Sequence, residues 1–154
     1  MPSRRRRLRL DDQLCFALYA ATNAVVRAYR PLLGELGLTY PQYLVMLALW
    51  QDGAAPARTL AARLQLGASA ITPLVDRLEA AGLVTRARGA DRRVVLVALT
   101  EAGRRLEERV AVAQETVVCR TGLAEDSLAE LRQELKALVD RIAVSGTLPQ
   151  DEEV

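Results

Sequence analysis

Apolar residues return at helical spacing along most of this chain, and the breaks in that spacing mark its elements. From Leu10 to Leu36 two stripes run side by side. One holds Leu14, Leu18, Ala21, Val25 and Leu32, the other Cys15, Tyr19, Thr22, Val26 and Tyr29, in the i, i+4, i+7 pattern of a helix. Two apolar sides predict packing on two sides, by the helix's own domain and by a second subunit. Pro31 disturbs the last turns, and Gly34 and Gly37 end the helix. Thr39 before Tyr40-Pro41 is a good N-cap with proline just inside. That second helix runs through Leu44 and Leu47 to about Trp50, and Asp52-Gly53 closes it.

A short helix follows over Arg58–Leu64, then a tight turn at Leu66-Gly67-Ala68. Ser69 is expected to cap the next helix, which carries Ile71, Leu74, Val75 and Leu78 on one face and ends at Gly82. Pro73 falls in its first turns, where proline loses at most about one backbone bond. Val84–Arg88 and Arg93–Leu99 are rich in valine and arginine. With Gly89-Ala90-Asp91-Arg92 between them they predict a β-hairpin. Thr100 caps a helix to about Arg120, and Gly122 breaks it. A last helix, about Glu125–Ala143, sets Leu128, Leu131, Leu135, Leu138 and Ile142 at a/d spacing. The fold class is therefore mainly α with one small β-hairpin, six helices in all. No βαβ alternation is present, which excludes most nucleotide-binding and thioredoxin-like folds.

Composition narrows the picture. The 154 residues suit one domain, and 51% hydrophobic content argues against disorder. The longest uncharged apolar stretch, Leu44–Trp50, is too short to span a membrane. Arg4 to Arg7 have no apolar region behind them, so the start does not read as a secretory signal, and a cytoplasmic location is expected. Net charge is only +2, but it is unevenly spread. Residues 1–9 hold five arginines and no acid and read as a disordered basic arm. Residues 51–100 hold seven arginines against four acids, and residues 121–154 three basic groups against eight acids. A polyanionic partner for the front and middle of the chain follows. The segment from 144 to 154 reads as a flexible tail. Histidine is absent, which removes the usual general base and the commonest metal ligand. Two cysteines, Cys15 and Cys119, are too few and too far apart for zinc. No metal, no cofactor and no enzymatic activity are expected.

Two helices joined by a tight turn, the second bearing Ser and Thr, match a helix-turn-helix. The second helix would enter the major groove of double-stranded DNA, with Ser69, Ala70 and Thr72 at base edges and Arg77 reaching groove or backbone. Arg86, Arg88, Arg92 and Arg93 fall within eight residues of the hairpin, against one acid, Asp91. A basic hairpin tip beside such a helix can reach the adjacent minor groove, whose potential attracts arginine.

At this point the residues resemble a known family. Leu83-Val84-Thr85-Arg86, Asp91-Arg92-Arg93 and Leu99-Thr100-Glu101-Ala102-Gly103 look like the wing signature of the MarR family of winged-helix regulators. The resemblance covers about residues 8–143. It implies one domain over residues 10–143, with a winged helix-turn-helix at 55–100. It further implies a homodimer made through helices 10–36 and 101–143, binding a pseudo-palindromic operator. It also implies that Asp91 pairs with Arg93 and orients it into the minor groove.

The first helix is more particular. The run Leu10-Asp11-Asp12-Gln13-Leu14-Cys15-Phe16-Ala17-Leu18-Tyr19, then Tyr29-Arg30-Pro31-Leu32-Leu33 and Leu38-Thr39-Tyr40-Pro41-Gln42-Tyr43, resembles the OhrR branch, repressors that sense organic hydroperoxides. The resemblance implies that Cys15 is the peroxidatic thiol, with Tyr29 and Tyr40 hydrogen-bonded to its sulfur. The chemistry suits these types. Thiolate attacks peroxide, the positive end of a helix dipole favours thiolate, and phenols can donate to a sulfur anion. Apolar neighbours such as Leu14 and Phe16 favour an alkyl hydroperoxide. Cys15 and Tyr29 are fourteen residues apart on one predicted helix, about 21 Å along its axis. They cannot touch within a chain, so a contact would come from the partner subunit, with the two first helices antiparallel.

Other readings stay open. Cys15 alone on an apolar face also fits a buried small hydrophobe. Cys119 fits the same description beside Val117 and Val118. By resemblance it is the resolving thiol that forms a disulfide with the peroxidatic cysteine of the other subunit. Tyr19 fits either core packing or a third pocket tyrosine. A MarR-type repressor answering to a non-covalent small aromatic ligand is the alternative function. The turn Leu66-Gly67-Ala68-Ser69-Ala70-Ile71-Thr72-Pro73 departs from the branch's usual Leu-Asp-Ser-Gly-Thr-Leu-Thr-Pro, which bears on the operator rather than on DNA binding.

Overall fold

The computed structural model describes residues 8–145. The expected arm over residues 1–9 lies mostly outside that range, as does the tail beyond Ser145. The helices are α1 (Leu14–Gly34), α2 (Tyr40–Asp52), α3 (Ala57–Arg63), α4 (Ala68–Ala80), α5 (Glu101–Thr121) and α6 (Glu125–Ser145). The strands are β1 (Val84–Arg88) and β2 (Val95–Leu99), between α4 and α5. The chain divides into two units between Val117 and Val118.

In the first unit α1 to α4 close over a shared core. Leu33 of α1, Val45, Met46 and Leu49 of α2, and Ile71, Val75 and Leu78 of α4 are buried, as are Val84 of β1 and Val97 of β2. Thr39 caps α2 as its sequence suggests, and the capping box is complete: the Thr39 N–H donates to Gln42 Oε1 at 2.9 Å and the Gln42 N–H to Thr39 Oγ1 at 3.4 Å. The strands pair antiparallel with Val84 opposite Leu99, Arg86 opposite Val97 and Arg88 opposite Val95. Ala55 extends this sheet on the far side of β2, exchanging bonds with Val97 at 3.1 and 2.8 Å.

One junction ties the hairpin to α4 and α5. Thr100 Oγ1 donates to the Gly82 carbonyl at 2.6 Å and accepts from the Gly103 N–H at 3.1 Å, so it caps α5 as expected. The Thr100 N–H donates to the Leu83 carbonyl at 3.0 Å. Gly103 is required here, because a Cβ would stand 2.1 Å from the Leu83 oxygen. Its carbonyl accepts the Trp50 Nε1–H at 3.0 Å, which anchors α5 to α2.

Three boundaries differ from the sequence reading. Helix α1 begins at Leu14, after a 3-10 turn over Leu10–Asp12 and an extended Gln13. Pro31 is accommodated inside it, three residues before its end. Ser69 does not cap α4. The helix starts two residues earlier, at Ala68, with Gly67 in the cap position and no side-chain cap bond. Strand β2 begins at Val95 because Asp91 to Val94 are spent in the turn, where the Val94 N–H donates to the Asp91 carbonyl at 3.0 Å.

In the second unit, α6 buries no residue within the chain, and Leu131, Leu135, Val139 and Ile142 of its apolar stripe are exposed.

Candidate nucleic-acid interface and thiol site

Helix α4 divides cleanly. Ile71, Val75 and Leu78 turn into the core, and Ser69, Ala70, Thr72 and Arg77 face solvent. The turn before it passes through Gln65, a non-glycine residue at φ 58°, in the left-handed region. Among the described residues the side chains of Ser69, Thr72 and Arg77 are exposed and make no hydrogen bond or ion pair.

The hairpin arginines fall into three situations. Arg92 and Arg93 are exposed at the tip. Arg88 Nη1 donates to the Arg92 carbonyl at 2.8 Å, which stiffens the turn. Arg86 points back onto α4, where Nη2 donates to Asp76 Oδ1 at 2.5 Å and Nη1 to Glu79 Oε2. The hydrogen bond to Asp76 chiefly holds its guanidinium pKa above the ordinary value; burial opposes this, and Glu79 adds a smaller upward effect. Asp91 is a correction. Its Oδ1 accepts the backbone N–H of Arg93 at 3.0 Å, not the side chain. The short Asp side chain closes its own turn, as Asx residues do, and among the described residues the Arg93 guanidinium has no ion-pair partner.

The thiol site comes in two parts that one chain does not join. Cys15 is the second residue of α1 and is exposed, at a helix N-terminus with no side-chain cap. Tyr29 lies four turns further along the same continuous helix. It is buried against Tyr40 and Tyr43 of α2, with ring centroids 5.6 Å from Tyr40 and 5.1 Å from Tyr43. Tyr40 and Tyr43 stand 5.7 Å apart, which closes a triangle of rings. The Tyr43 hydroxyl donates to that of Tyr29 at 3.4 Å. Burial first, and Tyr29 second, raise the pKa values of Tyr40 and Tyr43 above the ordinary tyrosine range.

Tyr43 escaped the sequence reading because it sits in an unbroken apolar run, Tyr43–Met46, where it looks like core. Its spacing of three from Tyr40, one helical turn, was the available signal. Tyr19 is exposed, so it is not core packing within the chain. Beside Tyr40 is a cavity of about 400 Å³ lined by Val26, Arg30, Gly34, Leu38, Thr39, Tyr40 and Pro41. Cys119, near the end of α5, is an exposed free thiol. Among the described residues no cluster of His, Cys, Asp or Glu could hold a metal ion, and no helix is long and apolar enough to cross a membrane.

A helix-turn-helix whose second helix presents small polar residues, followed at once by a basic two-stranded wing, defines a winged helix-turn-helix DNA-binding protein. Residues 38–95 match the MarR family, and the chain belongs to that family of DNA-binding transcriptional regulators. It is 46% identical over 136 residues to the HTH-type transcriptional regulator TtmR of Methylorubrum extorquens, across 83% of this chain and 70% of that protein. It is 39% identical over 132 residues to the organic hydroperoxide resistance transcriptional regulator of Bacillus subtilis, across 85% of this chain and 88% of that one. Among solved structures it resembles reduced AbfR bound to DNA, with 30% identity, a TM-score of 0.69, and coverage of 87% and 94%. The curated relatives are regulators rather than enzymes.

Proposed function

We propose that the protein is a homodimeric repressor that holds a pseudo-palindromic operator and releases it when an organic hydroperoxide oxidises Cys15. The observation that carries this reading is the divided thiol site. Cys15 waits exposed at the start of α1, while the phenols that suit its sulfur, Tyr29 and Tyr40, lie at the other end of that helix beside an apolar cavity. Two copies with antiparallel first helices bring each Cys15 to the other copy's tyrosines. The 39% identity to the Bacillus subtilis regulator supports the same chemistry.

The reaction needs only the chain and the peroxide. The Cys15 thiolate attacks one peroxide oxygen and the O–O bond breaks. The sulfur becomes a sulfenic acid, and the alkoxide leaves as the alcohol after taking a proton. A phenol donating to the sulfur stabilises the anion before attack. Cys119 is the candidate resolving thiol. Its condensation with the sulfenic acid of the other copy would give a disulfide and water. On DNA, Ser69, Ala70 and Thr72 meet base edges, Arg77 and Arg88 the backbone, and Arg92 and Arg93 the minor groove. The reading unit is residues 55–100, and the bare apolar faces of α1 and of residues 101–143 are dimerisation surfaces.

The test is a gel shift on the promoter region of the protein's own gene, with and without cumene hydroperoxide. The wild type should lose binding on oxidation, and Cys15→Ser should keep it. Release of DNA by oxidised Cys15→Ser would overturn the sensing role.

A further inference from the structure

The wing arginine that sequence reasoning assigned to DNA is held elsewhere, and its partners are acids on the reading helix itself. Asp76 and Glu79 are three residues apart on α4 and so share one face. Arg86 occupies the middle of β1, opposite Val97. Both ends of its guanidinium fork are taken, Nη2 by Asp76 and Nη1 by Glu79. Glu79 also accepts the Arg86 backbone N–H at 3.3 Å. That N–H lies on the open edge of β1, and Glu79 satisfies it. Backbone and side chain of one residue are therefore both fastened to α4. The Arg86 side chain is 30% exposed, the least of the three. An arginine fork already filled by two carboxylates has no geometry left for a bidentate phosphate contact.

We infer that Arg86 is a positioning residue rather than a DNA contact: with Asp76 and Glu79 it fixes the hairpin against α4, so that the wing arginines and the α4 side chains meet DNA in one geometry. This rests on the DNA-binding reading of the same unit. It carries a consequence that simple electrostatics gets backwards. Removing an acid from a protein surface near a polyanion ordinarily strengthens binding. Here the loss of Asp76 or Glu79 weakens it, because it frees the wing.

Two measurements on the full-length reduced protein test this. The first is affinity for a duplex of its own promoter region across a range of salt concentrations. Each phosphate contact contributes about 0.9 to the slope of log affinity against log salt. Arg86→Gln, Asp76→Asn and Glu79→Gln should each lower affinity by about three- to tenfold with the slope unchanged. Arg92→Ala should lower affinity and reduce the slope by about one. A slope reduced by about one in Arg86→Gln, or tighter binding by Asp76→Asn and Glu79→Gln, overturns the proposal. The second is hydrogen exchange of the hairpin amides without DNA, which stands even if the wild type fails to bind the duplex. Exchange should quicken in Arg86→Gln and not in Arg92→Ala. Unchanged exchange in Arg86→Gln overturns the brace whatever the DNA does.

Discussion

The hairpin end and the tyrosine corner both hold a few polar side chains in fixed places, and they do so with opposite materials. At the hairpin the restraint is charge at the surface, where Arg86 is set between Asp76 and Glu79 and Arg88 against the Arg92 carbonyl. At the corner it is burial, with Tyr29, Tyr40 and Tyr43 forming a closed triangle over the core of α1 and α2. Surface ion pairs contribute little each and weaken with salt, but they can break and reform. Buried rings contribute more and do not depend on salt. A surface that must fit itself to a second molecule suits the first material, and a fixed wall for a reactive sulfur suits the second.

The contrast can be pressed hardest where the hairpin meets the buried core. Gly103→Ala should be the most damaging single change, at about 3 kcal/mol by urea denaturation, because its methyl would run into the Leu83 carbonyl and Leu99. A cost near zero would mean that the junction yields and that the hairpin is not anchored there. Next comes Tyr43→Phe at the corner. It removes the partner of the buried Tyr29 hydroxyl and should cost about 1.5 kcal/mol, unchanged in high salt. The same variant tests the ionisation. The folded pKa values of Tyr40 and Tyr43 are raised, so the neutral phenols fit the fold and their contribution is complete below the unfolded value, about 10. It is lost as pH rises above that value, since the unfolded tyrosines ionise first. Stability should therefore fall above about pH 10, and less steeply in Tyr43→Phe. The smallest effect belongs to Thr39→Ala, which opens the capping box of α2 and should lower stability by about 1 kcal/mol without altering DNA binding by the reduced protein.

The elements themselves were readable from apolar spacing, turn residues and caps, down to Thr39 and Thr100. Particular contacts were not. The acids that hold Arg86 lie ten and seven residues before it, and nothing local marks a strand arginine as facing back to a helix. The family resemblance pairs Asp91 with Arg93, whereas the short aspartate closes on the backbone N–H it reaches first. Ser69 reads as a cap because serine prefers that place, yet the helix gains two residues by starting at Ala68. Tyr43 was hidden in an apolar run, where a phenol and a core ring look alike.

The brace occupies the second half of α4 and leaves the first turns of its exposed face without duties to the fold. Ser69, Ala70 and Thr72 are exposed, and the Ser69 and Thr72 hydroxyls have no partner among the described residues. Substitutions there change which bases are met and leave folding largely untouched. Arg86, Asp76 and Glu79 are bound to change together or not at all. A lineage carrying this architecture can move to a new binding sequence by single steps at three positions, while the angle at which it grips DNA is inherited as a unit.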